Sequence, residues 1–228
     1  MIFKTKILLL RKWNNVDTYL YSVMLITLEK AGKKFNREWI FRNLSYTFQS
    51  GKSYAITGAN GSGKSTLLQV IAGNMATSEG TVVFQNNATP IDTEKVYKHI
   101  AVAAPYLDVI EEMTVKEFLE FHAAFKQFIL PVEEIIKIVG LEKAIHKQIR
   151  YYSSGMKQRV KLAQAVFTNV PVILLDEPCT NLDTIGFELY YQLIKNYCSE
   201  KLVIICSNDE NEIKFCNEQI NIMSWKNK

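Results

Sequence analysis

The stretch GANGSGKST, Gly58 to Thr66, satisfies the spacing G-x-x-x-x-G-K-[ST], and its setting decides the fold. It follows a predicted strand, Tyr54 to Thr57, and precedes LLQVIAG, a helical run that can end at Gly73. In such a strand-loop-helix unit the glycines (Gly58, Gly61, Gly63) let successive backbone N–H groups converge on phosphates. The helix N-terminus adds a favourable dipole. Asn60 and Ser62 belong to the same cradle, Lys64 reaches for the β- and γ-phosphates, and Ser65, followed by Thr66, offers a hydroxyl to Mg²⁺. The ligand these groups specify is a nucleoside triphosphate; what its hydrolysis would drive must be read elsewhere.

Downstream, VILLDEP (Val172 to Pro178) ends a continuously apolar run in two carboxylates, Asp176 and Glu177. Runs without alternation mark parallel strands covered on both faces, and ligands of open α/β sheets bind at the carboxyl ends of such strands. Asp176 suits Mg²⁺ through a bound water. Glu177 suits acceptance of a proton from an attacking water, because phosphoryl transfer needs positioning, charge neutralisation and an oriented nucleophile. Alone, the pair also reads as a helix cap; the phosphate loop upstream favours the chemical reading. LVIIC (Leu202 to Cys206) is a second such strand and stops at Ser207-Asn208-Asp209. In YYSSGMKQRVKLAQAVF, Met156, Val160, Ala163 and Phe167 stand at helical spacing behind Ser153, Ser154 and Gly155. A helix N-terminus with free N–H groups and hydroxyls beside it is a second anion site, a plain serine N-cap being the alternative.

Further out, Ile26 and Leu28, then Leu44, Tyr46 and Phe48, alternate with polar residues. QSGK gives a turn, and TVVFQ after Gly80 joins them in an antiparallel sheet. TVKE at Thr114 to Glu117 has the form of a capping box, followed by Phe118, Phe121, Phe125 and Phe128, an aromatic stripe expected to pack in the core rather than line a partner groove. VEEIIKIVG begins a helix after Pro131 and ends it at Gly140. The expected fold is α/β: a phosphate-loop NTPase core with a mostly parallel sheet, an antiparallel β subdomain, and a small helical subdomain at about 107–165.

A chain of 228 residues, 48% hydrophobic and 22% charged, is long enough for a substantial core. Its formal charge of +4 is interspersed with acids and argues for no nucleic-acid partner. Cys179, Cys198, Cys206 and Cys216 match no zinc spacing and read as reduced thiols of a cytosolic protein. No run approaches the ~18 apolar residues of a membrane span, so work at a membrane needs a partner. Residues 1–23 differ from the rest: MIFKTKILLLRKWNN starts basic, but Ile7 to Leu10 is too short for a secretory signal. Translation starting at Met24, or a short surface arm, are the two readings, and the organised domain is 24–228.

The order of GANGSGKST, SSGMKQR, VILLDEP and TNLD (Thr180 to Asp183) resembles the ATP-binding subunit of an ABC transporter, from about Ile26 to the C-terminus. The resemblance implies a head-to-tail dimer holding two ATP molecules, each between the phosphate loop of one subunit and the signature helix of the other. Ser153 and Gly155 would take the signature positions facing the partner's γ-phosphate, with Tyr-Ser-Ser-Gly-Met where Leu-Ser-Gly-Gly-Gln is usual. Asp183 would be the acidic residue communicating across the dimer. Phe35, in GKKFNREWIF, falls where the family stacks an aromatic ring on adenine, with Trp39 as runner-up and simple packing as a third reading.

Two residues of that pattern are missing. Pro105 stands where a glutamine near Mg²⁺ is expected, with Tyr106 beside it as a substitute hydrogen-bonding group. His99, His122 and His146 all precede the signature, so they read as surface or packed residues, and the histidine slot after LVIIC holds Asn208. Asparagine keeps a neutral N–H donor without the option of positive charge. The expectation is a hydrolysing but slow ATPase that uses Glu177, Lys64 and Asn208, with ATP and Mg²⁺. It would drive a separate polytopic membrane subunit, in export, whose cytoplasmic helix docks near Tyr106 and the aromatic helix. A second ATP-binding subunit, a homodimer being expected, completes it at the cytoplasmic face of the membrane. Two alternatives stay open: a non-transport ABC ATPase acting as a clamp, against which the single phosphate loop speaks, and a regulatory subunit with lost hydrolysis.

Overall fold

The computed structural model describes residues 23–226, so the readings of the N-terminal extension lie outside the described residues apart from Val23. In chain order the strands are β1 (Met24–Phe35), β2 (Glu38–Gln49), β3 (Ser53–Thr57), β4 (Glu79–Asn86), β5 (Thr89–Pro90), β6 (Ile100–Ala103), β7 (Val172–Asp176), β8 (Leu202–Cys206) and β9 (Glu218–Asn221). The α-helices are α1 (Lys64–Ile71), α2 (Val115–Ala123), α3 (Val132–Ile138), α4 (Ser154–Phe167), α5 (Thr184–Tyr197) and α6 (Glu210–Ile213). One sheet is antiparallel, in the order β2-β1-β4-β5; the other, β6-β7-β8-β3-β9, pairs every neighbour in parallel.

The unbroken apolar runs have a direct cause. Every residue of β7 and β8 is buried, and alternate side chains enter different cores. Ile173, Leu175, Val203 and Ile205 face the helices, packing with residues of α2 to α5 such as Leu119, Ile136, Val166 and Leu193. Val172, Leu174, Leu202 and Ile204 face β1, β2 and α1, among Ile26, Phe41, Phe48 and Leu68. A strand covered on both sides has no solvent face on which to place polar residues. Each such side chain contributes about 1.5–3 kcal/mol when fully buried.

The helix signals hold locally. Thr114 caps α2 with a reciprocal capping box to Glu117. Both α1 and α3 close with paired bonds, Gly73 N–H to Val70 and Asn74 N–H to Gln69 in one, Gly140 N–H to Lys137 and Leu141 N–H to Ile136 in the other. At the far end of α4, Lys201 is buried and its ammonium donates to the carbonyls of Val166 (3.0 Å) and Thr168 (2.9 Å).

The aromatic stripe needs correction. Phe118 is buried and Phe128 packs against the core, but Phe121 is 47% and Phe125 74% exposed, their rings edge to face at 5.2 Å. The helix ends at Ala123, so the periodicity that would bring Phe125 back to the buried face stops first.

Candidate functional site

Because β3, β6, β7 and β8 run in parallel, the segments leaving their carboxyl ends meet along one edge of the sheet. The phosphate loop lies there. Gly63, at φ 105°, ends the loop in a conformation that L side chains rarely adopt, and a Cβ on it would sit 2.1 Å from Cγ2 of Ile40. Helix α1 begins at Lys64, so its first turn carries the motif itself, with no acidic residue and no side-chain cap to occupy its N–H groups. Lys64 reaches back across the loop, its ammonium donating to the carbonyls of Gly58 (2.7 Å) and Ala59 (3.4 Å). The Ser62 hydroxyl is buried inside the loop with no hydrogen-bond partner, and a side chain on Gly61 would meet nothing within 4 Å. Open backbone donors, a lysine and an orphaned hydroxyl around an empty mouth fit a phosphate chain.

Asp176 is buried at the end of β7, with the Ser65 hydroxyl beside its carboxyl. Burial raises its carboxyl above the usual range, with the Ser65 hydroxyl and the Lys64 ammonium pulling it back and Glu177 adding to the rise. Among the described residues there is no group of three or more His, Cys, Asp or Glu side chains that could hold a metal ion. Ser65 and Asp176 therefore supply two oxygens beside the loop, a donor set suited to Mg²⁺ that is shared with a phosphate. Glu177 is exposed, at φ 44°, and its N–H donates to the Cys206 carbonyl at 2.9 Å.

Asn208, leaving β8, binds the loop from the other side. Its Oδ1 accepts from the Gly58 N–H (3.1 Å) and its Nδ2 donates to Asn60 Oδ1 (3.3 Å). Tyr106, leaving β6, has the Gln69 side chain of α1 beside its phenol. Burial and then the Asp176 charge push its phenol up to about 12, which places it within electrostatic reach of that carboxylate. Thr66 lies half-buried in the first turn of α1.

The remaining candidates lie apart from the loop. Ser153 is the N-cap of α4, its hydroxyl accepting from the Met156 N–H, so the capping alternative describes it in this chain. Ser154 is exposed, and Gly155 is packed so close to the next segment that a Cβ would meet the Asn181 carbonyl at 2.9 Å. Asp183 caps α5 by accepting from the Gly186 N–H (2.7 Å) and lies 3.6 Å from Arg159. Phe35, 46% exposed at the end of β1, has the Lys33 ammonium 5.3 Å from its ring centre. Trp39 is flanked by Lys34 and Arg42, which leaves Phe35 as the more open ring.

Sequence reasoning passes over Gln158 and Glu212, both buried polar residues at this edge. Gln158 donates to the Pro178 carbonyl and Glu212 accepts from the Cys179 N–H. Spacing along a helix cannot separate an inward glutamine from a surface one. A groove of about 270 Å³ lies beside the site, between Ala104, Leu107, Ile110, Phe121, Phe125 and Lys161. A broader concavity of about 1020 Å³ opens on the antiparallel sheet, among Arg42, Asn43, Ser45 and Glu79. Its size does not mark the chemistry, since none of the loop residues lines it.

A phosphate loop between β3 and α1, at the carboxyl edge of a parallel sheet, defines a P-loop NTPase of α/β fold. The sequence profile of the ABC transporter family matches residues 41–180. A cytochrome c biogenesis ATP-binding export protein, CcmA, of Rhizobium johnstonii is 31% identical over 196 residues, covering 82% of this chain and 89% of that one. A lantibiotic transport ATP-binding protein, SrtF, of Streptococcus pyogenes is 26% identical, covering 81% and 80%. The dimeric, post-hydrolysis structure of the ATP-binding cassette MJ0796 with ADP and Pi superposes with a TM-score of 0.74 at 25% identity, covering 86% and 93%. The chain belongs to the ABC transporter family, as one of its ATP-binding domains.

Proposed function

We propose that this protein binds and hydrolyses ATP as one of two subunits that close around the nucleotide, and that it drives a separate membrane-spanning subunit in export. The observation that carries the reading is the meeting, at one sheet edge, of the phosphate loop, the Ser65–Asp176 pair and the exposed Glu177 carboxylate. The loop N–H groups and Lys64 would hold the phosphates, Glu177 would take the proton of the attacking water, and Phe35 would stack on the base. Ser65 and Asp176 would hold Mg²⁺, which neutralises phosphate charge when bound.

Gly155 makes its close contact with Asn181 rather than with its own chain's phosphate loop, which suits a signature offered to a second subunit. Asp183, beside it, would communicate across that interface. The names of CcmA and SrtF support a transport role, and that of CcmA, an export protein, supports transport outward. Among the described residues no helix is long and apolar enough to cross a membrane, so a membrane role runs through a partner, holding this subunit at the cytoplasmic face. The groove bordered by Phe121 and Phe125 is the apolar surface next to Tyr106 on which a partner helix would dock.

Hydrolysis is expected to be slow. Pro105, with Tyr106 beside it, and Asn208 stand where the family's glutamine and histidine would, and Asn208 spends its side chain on Gly58 and Asn60. ATP turnover of the purified chain, with and without its membrane partner, tests the reading. Glu177→Gln should lower the rate by about 100-fold or more, as loss of a general base does, and Asn208→His should raise it. A wild type no faster than Glu177→Gln would leave the regulatory reading, binding without hydrolysis, in its place.

A further inference from the structure

We propose that Gln158 and Glu212 are positioning residues that clamp the peptide between Pro178 and Cys179, and through it hold Glu177 in its left-handed turn. The proposal rests on the reading of Glu177 as the base.

The Pro178 carbonyl and the Cys179 N–H belong to one planar peptide group. Gln158 Nε2 of α4 donates to its oxygen at 2.7 Å, and Glu212 Oε1 of α6 accepts from its nitrogen at 2.9 Å. Both side chains are buried, 6% and 5% exposed. The plane of that one peptide is therefore set from two directions. The next peptide upstream is also held, its Glu177 carbonyl accepting from the Thr180 N–H at 3.2 Å, and the one before it is held by the Glu177 N–H donating to the Cys206 carbonyl at 2.9 Å.

A non-glycine residue at φ 44° costs on the order of 1–3 kcal/mol and persists only where its surroundings over-determine it. The Glu177 carboxylate is exposed, so its aim is set by its backbone rather than by packing around the side chain. The clamp supplies that determination. Glu212 is itself anchored through its backbone: its N–H donates to the Asp209 carbonyl (3.0 Å), and its carbonyl accepts from the Tyr190 hydroxyl (3.0 Å). A carboxylate is costly to bury. One stationed here is explained by a peptide N–H that has to be held.

The two clamp residues also belong to the two elements that flank the site. Gln158 is on the helix that Ser153 caps, and Glu212 is on the short helix that follows Asn208. A shift of either element bears on the Pro178–Cys179 peptide, one residue beyond Glu177.

The test compares Gln158→Leu, which keeps volume but removes the donor, with Glu212→Leu and Glu212→Gln. Each is made in the wild type and in Glu177→Gln, and kcat, KM for ATP, binding of a fluorescent ATP analogue and Tm are measured. Loss of one buried hydrogen bond to the clamp should lower kcat about tenfold, with KM and binding changed less than about twofold. Glu212→Gln, which retains an acceptor oxygen, should recover most of what Glu212→Leu loses. In the Glu177→Gln background the same substitutions should lower the residual rate no further, because the residue they position is gone.

An unchanged kcat in Gln158→Leu, or an equal loss in the Glu177→Gln background, overturns the clamp; the Gln158 variant decides this even where Glu212→Leu does not fold. A wild type no faster than Glu177→Gln sinks the ATPase reading instead, and the clamp with it. The two failures are thereby told apart.

Discussion

His122 shows what one ring can be required to do. Thr168 gives its hydroxyl proton to the Gln164 carbonyl, so the imidazole must donate from Nε2 to Thr168 Oγ1 (3.0 Å) and accept at Nδ1 from Gln164 Nε2 (3.2 Å). That assignment is the neutral ring. Protonation would put an N–H against an NH₂ group. Burial, then the Lys126 ammonium, lowers its pKa from 6.5 to about 4. Between those values the unfolded chain binds more protons than the folded one, so stability rises with pH; it is fully present above about 6.5 and is lost as pH falls toward 4. Discounted for partial exposure, the loss from pH 7 to pH 5 should be about 1 kcal/mol. Urea unfolding of wild type and His122→Gln at the two pH values checks it: the variant should show that much less pH dependence. An equal dependence in both would show that other groups set it.

At the same scale, legibility divides by chemistry. Gly58 to Thr66, Asp176 and Glu177 could be read because phosphate chemistry fixes residue types at a fixed spacing. Gln158 and Glu212 could not, because each joins residues far apart in the chain and no local pattern records a tertiary partner.

Among elements, β7 and β8 were legible from composition alone, since two cores leave no polar face. The helix α2 was legible at its start and misleading at its end. Its capping box fixed the first turn, but the aromatic spacing continues past Ala123, where the helix has stopped, and two of the four rings project outward. That outward pair has an expected consequence. Phe121→Glu with Phe125→Glu should abolish co-purification with the membrane subunit. Tm and ATP binding should change little, because surface substitutions away from packing usually stay within about 0.5 kcal/mol. Undiminished co-purification would remove the groove from the docking proposal, and a fall in Tm of many degrees would return both rings to the core.

The whole molecule places its motif residues on two different segments of the surface. The phosphate loop, Asp176, Glu177 and Asn208 gather at the carboxyl edge of the parallel sheet, while Ser153 to Gly155 stand at the head of α4, Gly155 against Asn181. No fold of one chain brings them together here, and the sequence, which fixes each motif locally, does not contain the symmetry operation that would. A second copy turned head to tail would place one chain's α4 N-terminus, with its dipole and serine hydroxyls, over the phosphates in the other's loop. ATP would then be part of the interface, and its removal part of the release. With Mg²⁺ and ATP, Glu177→Gln should therefore sediment as a species of twice the chain's mass, because the nucleotide is held but not consumed. ADP should leave it a monomer. Ser154→Arg should prevent the dimer while ATP binding to the monomer is retained, since Ser154 is exposed at the head of α4 and is not a residue of the phosphate loop. A monomer under all conditions would make the closed pair depend on the membrane subunit. A dimer that persists in ADP or in Ser154→Arg would mean that the interface is built elsewhere on the surface.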